Sequence, residues 1–359
     1  MEHADLLAAA VPRLTEWYET VKKDLPWRRE PTPYRVWISE IMLQQTRIEA
    51  AIPYYERFLA RLPDVSSLAG VPDDELLKLW EGLGYYNRAR NLKKAAVMVM
   101  ERYGGTLPET AEELRQLPGI GDYTAGAIAS IACGRPEPAV DGNVMRVLAR
   151  LTEWSSDVLA QKTRKQAGEA LRAVYPSGRG AGLLTEGLME LGETVCLPNG
   201  SPHCGDCPLA DICLARQGGT AERYPVRRAA KERRQEEITV LLLEKDGRFA
   251  LCRRPEEGLL AGMWQFPNEP GRLEGPEVRK AAERLGLETR DVTPAGTGHH
   301  VFSHVEWHMI GWHVVCKGGE PDGSLTWFTP EQIEREIALP AAFRCWREKV
   351  TGKRAGKNR

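Results

Sequence analysis

Four cysteines stand within 18 residues, Cys196, Cys204, Cys207 and Cys213, in the segment CLPNGSPHCGDCPLADIC. No other feature constrains the fold as much, because four thiols this close have to converge on something. The spacing is C-x7-C-x2-C-x5-C, one tight pair with outliers on both sides. Structural zinc sites usually carry two short Cys-x2–4-Cys pairs. An asymmetric run of four thiolates suits a cubane cluster of iron and sulfur, and on spacing alone zinc stays open as the alternative. Cys133, Cys252, Cys316 and Cys345 are scattered and read as small buried apolar residues.

Composition sets the outer bounds. A chain of 359 residues accommodates two or three domains. The start, MEHADLLAAAVPRLTEW, is acidic and its apolar run is too short for a secretory signal. Nothing approaches the ~20 apolar residues that a membrane span needs. Unpaired cysteines without an export signal point to a reducing cytoplasm. The net charge of −1 argues against a polyanion binder that is basic all over, so local patches matter. Residues 223–234 hold six basic side chains and one acidic, and 349–359 hold five basic and none acidic. A solvated linker and a tail explain such runs as readily as nucleic-acid contact does.

Residues 1–222 read as a helical domain. YRVWISEIMLQQTRIEAAIPYYERFLARL, DDELLKLWEGLG, ARNLKKAAVMVMERYG and TAEELRQL all have helical apolar spacing. A basic linker follows at 223–236. Residues 237–350 read as a small mixed α/β domain, and 351–359 as a basic tail. In the second domain EITVLLLEKDGRFALCRR makes two strands around an Asp246-Gly247 turn. VEWHMIGWHVVCKG and LTWFTP make further strands, and PEVRKAAERLG and PEQIEREIAL make helices opened by Pro276 and Pro330. The fold class is therefore multidomain α+β.

LPGIGDYTAGAIASIA places Gly119 and Gly121 in a turn before a helix that starts near Tyr123. Glycine allows positive φ and lets a phosphate approach backbone N–H groups, and the helix N-terminus favours an anion. A plain helix–turn–helix is the simpler reading of a lone G-x-G. Asp141, in AVDGNVMR, stands just before another helix, where a helix cap is the plainer role. Glu40 lies within a helix, with Val36, Trp37 and Leu43 three or four positions away. On that side its carboxyl would be desolvated and kept protonated, although an exposed helix glutamate is the ordinary alternative. A raised-pKa acid beside an ionised carboxylate is what glycosidic cleavage requires.

The chain resembles the helix–hairpin–helix iron–sulfur DNA glycosylases, and among them most closely the adenine DNA glycosylase (MutY) family. The resemblance rests on LPWR (25–28), SEIMLQQT (39–46), WEGLGYYNRARNL (80–92), LPGIGDYTAG (117–126), AVDGNVMR (139–146), TEGLMELG (185–192) and VFSH (301–304), in that order. It implies excision of adenine mispaired with 8-oxoguanine or guanine in duplex DNA. By the same resemblance, Glu40 protonates the adenine and Asp141 stabilises the sugar cation, with Tyr123 and Asn143 in support. Arg28 and Glu186 line the adenine pocket, and Gln45, Thr46 and Tyr85 wedge into the duplex, while the Gly119–Gly121 hairpin binds DNA. Ser303, Phe302 and His304 recognise 8-oxoguanine, with the phenyl ring as a wedge. The four cysteines hold a 4Fe-4S cluster, and the protein acts as a monomer in a bacterial cytoplasm, held to the nucleoid through DNA.

Two departures accompany the resemblance. The first cysteine gap is seven residues where the family usually has six. The C-terminal domain resembles a Nudix hydrolase, but its box reads Arg279, Lys280, Ala281, Ala282, Glu283, Arg284, Leu285, Gly286. Cations replace two of three metal-binding carboxylates, and Mg²⁺ needs those oxygens, so the domain is expected to bind a base and not to hydrolyse a nucleotide. Two other functions compete. A glycosylase/lyase like endonuclease III needs an amine after the hairpin, where this chain has Tyr123. A non-catalytic iron–sulfur DNA-binding or redox-sensing protein would have no use for Glu40 and Asp141.

Overall fold

The computed structural model describes residues 4–227, 233–319, 321 and 323–352. The centre of the basic linker and most of the basic tail lie outside them. By backbone contacts the chain forms two compact units, Met1–Val71 with Asn91–Ala229, and Pro72–Arg90 with Ala230–Arg359. No helix among the described residues is long and apolar enough to cross a membrane.

The first unit is helical. The run read as one stretch of helical spacing from Tyr34 to Leu62 is two helices, Pro33–Leu43 and Ile48–Arg61. The break comes at Gln45, a non-glycine residue at φ 64°. Within this unit the helices Ala4–Val21, Gly142–Leu151 and Arg179–Thr194 bury Leu7, Leu14, Leu148, Leu184 and Leu188 in one core. Small residues permit that closeness. A Cβ on Gly192 would stand 2.6 Å from the Cβ of Asn143, so the last turn of Arg179–Thr194 lies directly against the start of Gly142–Leu151.

The second unit is built on a seven-stranded sheet. Its strands are β1 (Arg234–Lys245), β2 (Arg248–Arg253), β3 (Trp264–Gln265), β4 (Asn268–Pro270), β5 (Leu287–Val301), β6 (Val305–Gly319) and β7 (Leu325–Phe328). The order is β3-β2-β1-β6-β5, with β4 on β1 and β7 on β2. β1 runs parallel to β6 and antiparallel to β2. Its unbroken buried segment, Ile238 to Leu243, in which only Thr239 is polar, follows from burial on both faces. One face packs Val240, Leu242, Trp307 and Met309 against Phe343 and Trp346. The other packs Leu241, Leu243 and Val314 against Val278, Ala281 and Ala282 of the helix Gly275–Arg284. Asp246 and Gly247 form the β1–β2 turn, both at positive φ, as a type I′ hairpin requires. The strand β5 was not anticipated. Of the four scattered cysteines only Cys316 is buried, while Cys133, Cys252 and Cys345 are half-buried.

The stretch Pro72–Arg90, helical by sequence, groups with the sheet and not with the other helices. Polar ties account for this. Lys78 donates to the carbonyls of Glu334 (2.8 Å) and Ile337 (3.1 Å). Glu81 accepts from the Leu339 N–H and from Arg347, at 3.1 and 2.6 Å, and Arg253 pairs with Asp74 at 2.6 Å.

Candidate active site

In the first unit, the loop before Gly142–Leu151, the middle of Pro33–Leu43, the start of Asp122–Ala127 and one face of Arg179–Thr194 enclose a cavity of about 200 Å³. Glu40, Tyr123, Asp141, Asn143, Arg28 and Glu186 all line it, and so does Thr46. Seven residues from five sequence motifs thus meet in one place.

Glu40 is 6% exposed. Tyr123 donates its hydroxyl to Glu40 Oε2 at 2.6 Å. Burial pushes the Glu40 carboxyl up to about 7, opposed by the Tyr123 hydroxyl and reinforced by the negative charge of Asp141. This places an acid near neutrality inside the cavity.

Asp141 is held differently. It is the N-cap of Gly142–Leu151, and its Oδ1 accepts the Val144 N–H at 2.7 Å. Asn143 donates to Oδ2 at 3.0 Å. Burial raises the Asp141 carboxyl above the usual range, but the N–H donors of Val144 and Asn143 and the charge of Arg146 pull it down. Hydrogen bonds to the charged form and a nearby cation favour ionisation. The capping role and the cavity role are therefore both real for this side chain.

Arg28 sits between two carboxylates on one helix face. It lies 3.3 Å from Glu186 Oε1 and donates to Glu190 Oε2 at 3.0 Å. Lys23 also reaches Glu190, at 3.1 Å, and the Arg28 guanidinium stacks over the Tyr18 ring. Glu190 is 2% exposed and was missed by the sequence reading. Its only signal was the i+4 spacing from Glu186.

Around the cavity, Gln45 is exposed, and Gln44 donates to Thr124 Oγ1 at 3.4 Å. Gly119 takes φ 80°, and a Cβ there would meet Asn91 at 2.7 Å. Gly121 is extended, and a Cβ there would meet nothing within 4 Å. Internal packing thus demands glycine at 119 only. A groove of about 890 Å³ adjoins the hairpin, with Arg115, Lys162, Arg164, Lys165 and Arg172 among its lining. The basic helix Gln161–Arg172 on this groove also went unread, because its charges look like any solvated face.

The four cysteines line a separate small cavity of about 30 Å³. The helix Gly142–Leu151 ties their loop to Asp141. Arg146 donates to the Cys196 carbonyl (2.7 Å), the Gly192 carbonyl (2.6 Å) and Asn143 Oδ1 (2.8 Å). One turn on, Arg150 reaches Cys196 Sγ at 3.3 Å and the Leu197 carbonyl at 2.8 Å. Of the seven residues in the first gap, Leu197 to His203, Leu197 is held through its carbonyl by Arg150.

In the second unit Tyr85 is 51% exposed and takes φ 49°, a costly conformation for a bulky side chain. Phe302, Ser303 and His304 form the tip between β5 and β6. Ser303 and His304 are exposed, with Ser303 Oγ 3.1 Å from His304 Nδ1. The Phe302 ring packs inward on Trp307, 4.9 Å between centroids. On the helix Gly275–Arg284 the cations take surface partners, Arg284 with Glu269 and Arg279 with the Thr289 carbonyl.

Glu40 gives the first unit a pH-dependent stability. Its folded pKa of about 7 stands above the ordinary 4.5, so the folded state binds the proton more tightly. That contribution is full below pH 4.5, is lost as pH rises through 7, and leaves a cost of roughly 3 kcal/mol at higher pH. Glu40→Gln, which carries no charge to desolvate, is expected to be more stable than the wild type in urea at pH 8, with the gap closing at pH 5. An identical gap at both pH values would contradict the buried-acid assignment.

Comparison with known proteins bears on the same residues. The HhH-GPD superfamily of base excision DNA repair proteins matches residues 38–173, and the NUDIX domain matches 238–348. The adenine DNA glycosylase of Homo sapiens is 33% identical over 96% of this chain and 75% of its own length. That of Buchnera aphidicola (strain APS) is 36% identical over 70% of this chain and 71% of its own. Two solved structures each cover 60% of the chain. A thermostable thymine-DNA glycosylase, 98% covered, has TM-score 0.54 and 27% identity. A non-covalent endonuclease III–DNA complex, 97% covered, has TM-score 0.50 and 25% identity. The chain belongs to the adenine DNA glycosylase family, a helix–hairpin–helix base excision repair glycosylase joined to a Nudix-like domain.

Proposed function

We propose that the cavity hydrolyses the N-glycosidic bond of adenine mispaired with 8-oxoguanine or guanine in duplex DNA. The observation that carries this reading is the pairing of Glu40, an acid with a pKa of about 7, with Asp141, a carboxylate that accepts two N–H donors. Glu40 gives its proton to N7 of the flipped adenine, which makes the base a neutral leaving group. The C1′–N9 bond breaks and its electron pair goes to N9. The sugar is left with oxocarbenium character, which the Asp141 charge stabilises. Water then adds to C1′ and gives its proton to the Glu40 carboxylate, which restores the acid. Tyr123 orients Glu40, and Asn143 holds Asp141 in place.

Arg28 and Glu186 line the pocket of the extruded base. Gly119, Gly121 and the basic groove beside them take the phosphate backbone, and the open space at Gly121 leaves room for it. Gln45, Thr46 and Tyr85 fill the gap in the duplex; the first and last of these are exposed and held at positive φ. Ser303 and His304 read the opposite base, with Phe302 packed beneath them. At position 123 a tyrosine offers no amine, so the reaction is monofunctional and ends at the abasic site. The enzyme works as a monomer in the cytoplasm.

Cys196, Cys204, Cys207 and Cys213 fit a 4Fe-4S cluster. Burial, with the charge of the other thiolates, pushes the Cys207 thiol up to about 12, so four thiolates can coexist here only around a cationic centre. A single tetrahedral zinc ion would need its sulfurs about 3.8 Å apart. The four cysteines line one small cavity, and their asymmetric spacing in sequence suits a polynuclear cluster. Bound there, the cluster would supply structural cross-linking of the loop that Arg146 and Arg150 tie to the Asp141 helix.

Three experiments test the reading. Asp141→Asn should slow single-turnover adenine release by on the order of a thousandfold, with gel-shift affinity for the 8-oxoguanine:adenine duplex retained; near-normal release would remove Asp141 from the chemistry. Protein purified without oxygen should contain about four iron atoms per chain, and stoichiometric zinc in their place would reverse the metal assignment. Ser303→Ala with His304→Ala should lower the preference for adenine opposite 8-oxoguanine over adenine opposite guanine by about tenfold, the worth of one base-edge contact. Equal weakening of both substrates would mean that the tip contributes only nonspecific affinity.

A further inference from the structure

The long hairpin β5–β6 carries a second cluster of metal-ligating side chains, far in sequence from the cysteines. His299 on β5 stands directly opposite His308 on β6, and Glu306 lies two pairs nearer the tip, on the same face. Both rings turn Nε2 toward one carboxylate oxygen, Glu306 Oε1, His299 at 2.7 Å and His308 at 3.3 Å. The two rings are 5.0 Å apart between centroids. The three ligand atoms all lie within 4.8 Å of one another, the group of this kind among the described residues.

We propose that His299, Glu306 and His308 bind one divalent transition-metal ion of the zinc class. The donor set of two imidazoles and one carboxylate is that of catalytic zinc sites with an open position. In such a site the ligand atoms stand about 3.3 Å apart; His308 is already 3.3 Å from Glu306 Oε1, while His299 at 2.7 Å would have to move outward. The alternative is a pair of surface ion pairs. That reading accounts for one histidine on one carboxylate oxygen, but here both rings present Nε2 to the same oxygen, Glu306 Oε1. Two imidazole nitrogens and a carboxylate oxygen converging on one point are a donor set for a metal cation. A depression of about 400 Å³ beside the triad, lined by Glu237, Arg272, Thr297, His299 and His308 among others, leaves the fourth position open to water or a ligand group. Glu237 is the β1 partner of His308 and adds a carboxylate to this face, countered by Arg272 at 4.0 Å; Arg233 also acts on Glu306.

The ion would tie β5 to β6 immediately below the tip Phe302–Ser303–His304. The site is independent of the cysteine loop and of the catalytic cavity, so it stands or falls separately from the proposed reaction.

The test uses untagged, full-length protein with its iron complement filled, equilibrated against ZnCl2 and assayed for zinc by atomic emission. Wild type should retain one more zinc per chain than the His299→Ala/His308→Ala variant, and zinc should raise the melting temperature of the wild type alone. Glu306→Gln, which keeps the side-chain shape, should weaken zinc binding at least about tenfold. Substituting Co²⁺ gives a second reading by visible absorption, with bands expected for wild type and lost in Glu306→Gln even if the double variant folds poorly. Equal zinc content and affinity in wild type and both variants, or no zinc retained by wild type, overturns the site.

Discussion

The helix Gly142–Leu151 is the part on which the first unit depends. Its N-cap is Asp141, and its next turns carry Arg146 and Arg150, both nearly fully buried. Buried guanidinium groups are tolerable only when their N–H donors are used. These are used on the Asn143 side chain and on carbonyls of Gly192, Cys196, Leu197, Ala221 and Tyr224. One helix therefore connects a carboxylate in the cavity at its start with the cysteine loop along its length. Anything that fixes the loop also fixes the orientation of Asn143, and through it one oxygen of Asp141. Gly192 completes the arrangement, since any side chain there would displace Asn143.

The two carboxyl groups of the cavity differ in the company they keep. Glu40 has one hydroxyl partner and is otherwise desolvated, so the proton is retained. Asp141 has an N–H donor on each oxygen and a cation nearby. The same low-dielectric setting thus produces an acid on one side and favours a charge on the other. Arg28, set between Glu186 and Glu190, keeps further negative charge on that helix paired.

Much of this was legible in the sequence because it rests on local rules. The Asp141 cap, the Asp246-Gly247 turn, the doubly buried β1 and the proline-opened helices each follow from a few adjacent residues. Glu40 could be placed on an apolar helix face, but its contact with Tyr123 is 83 positions away in sequence and needed the resemblance. What was not legible has physical causes. β5 contains Pro294 and several glycines, is mostly exposed, and pairs only with β6; proline and exposure are tolerated at a sheet edge but hide the strand from its pattern. The break at Gln45 lies inside uninterrupted helical spacing, with no proline or glycine to mark it. The placement of Pro72–Arg90 depends on Lys78, Glu81 and Arg347, whose pairing joins distant segments. The His299–Glu306–His308 cluster depends on strand register, which spacing across a hairpin of unknown turn does not reveal.

The second unit illustrates how a fold can keep its frame and change its chemistry. Placing Arg279, Lys280 and Arg284 on the helix Gly275–Arg284 leaves it without the oxygen cluster that Mg²⁺ requires, while Val278, Ala281 and Ala282 still pack the sheet. The cost to the fold is small, since exposed charges exchange one surface partner for another. Exposed polar side chains are found at the β5–β6 tip and at Tyr85, which this unit also holds. Tyr85 keeps a strained backbone, a state that persists only when its surroundings enforce it. Here they do: Arg88 lies over the rings of Tyr85 and Trp80 and donates to the carbonyls of Leu83 and Gly84. The Glu81 and Lys78 ties then fix that segment to the sheet. The unit thus presents two projecting loops, each braced from beneath by a cation or by aromatic rings.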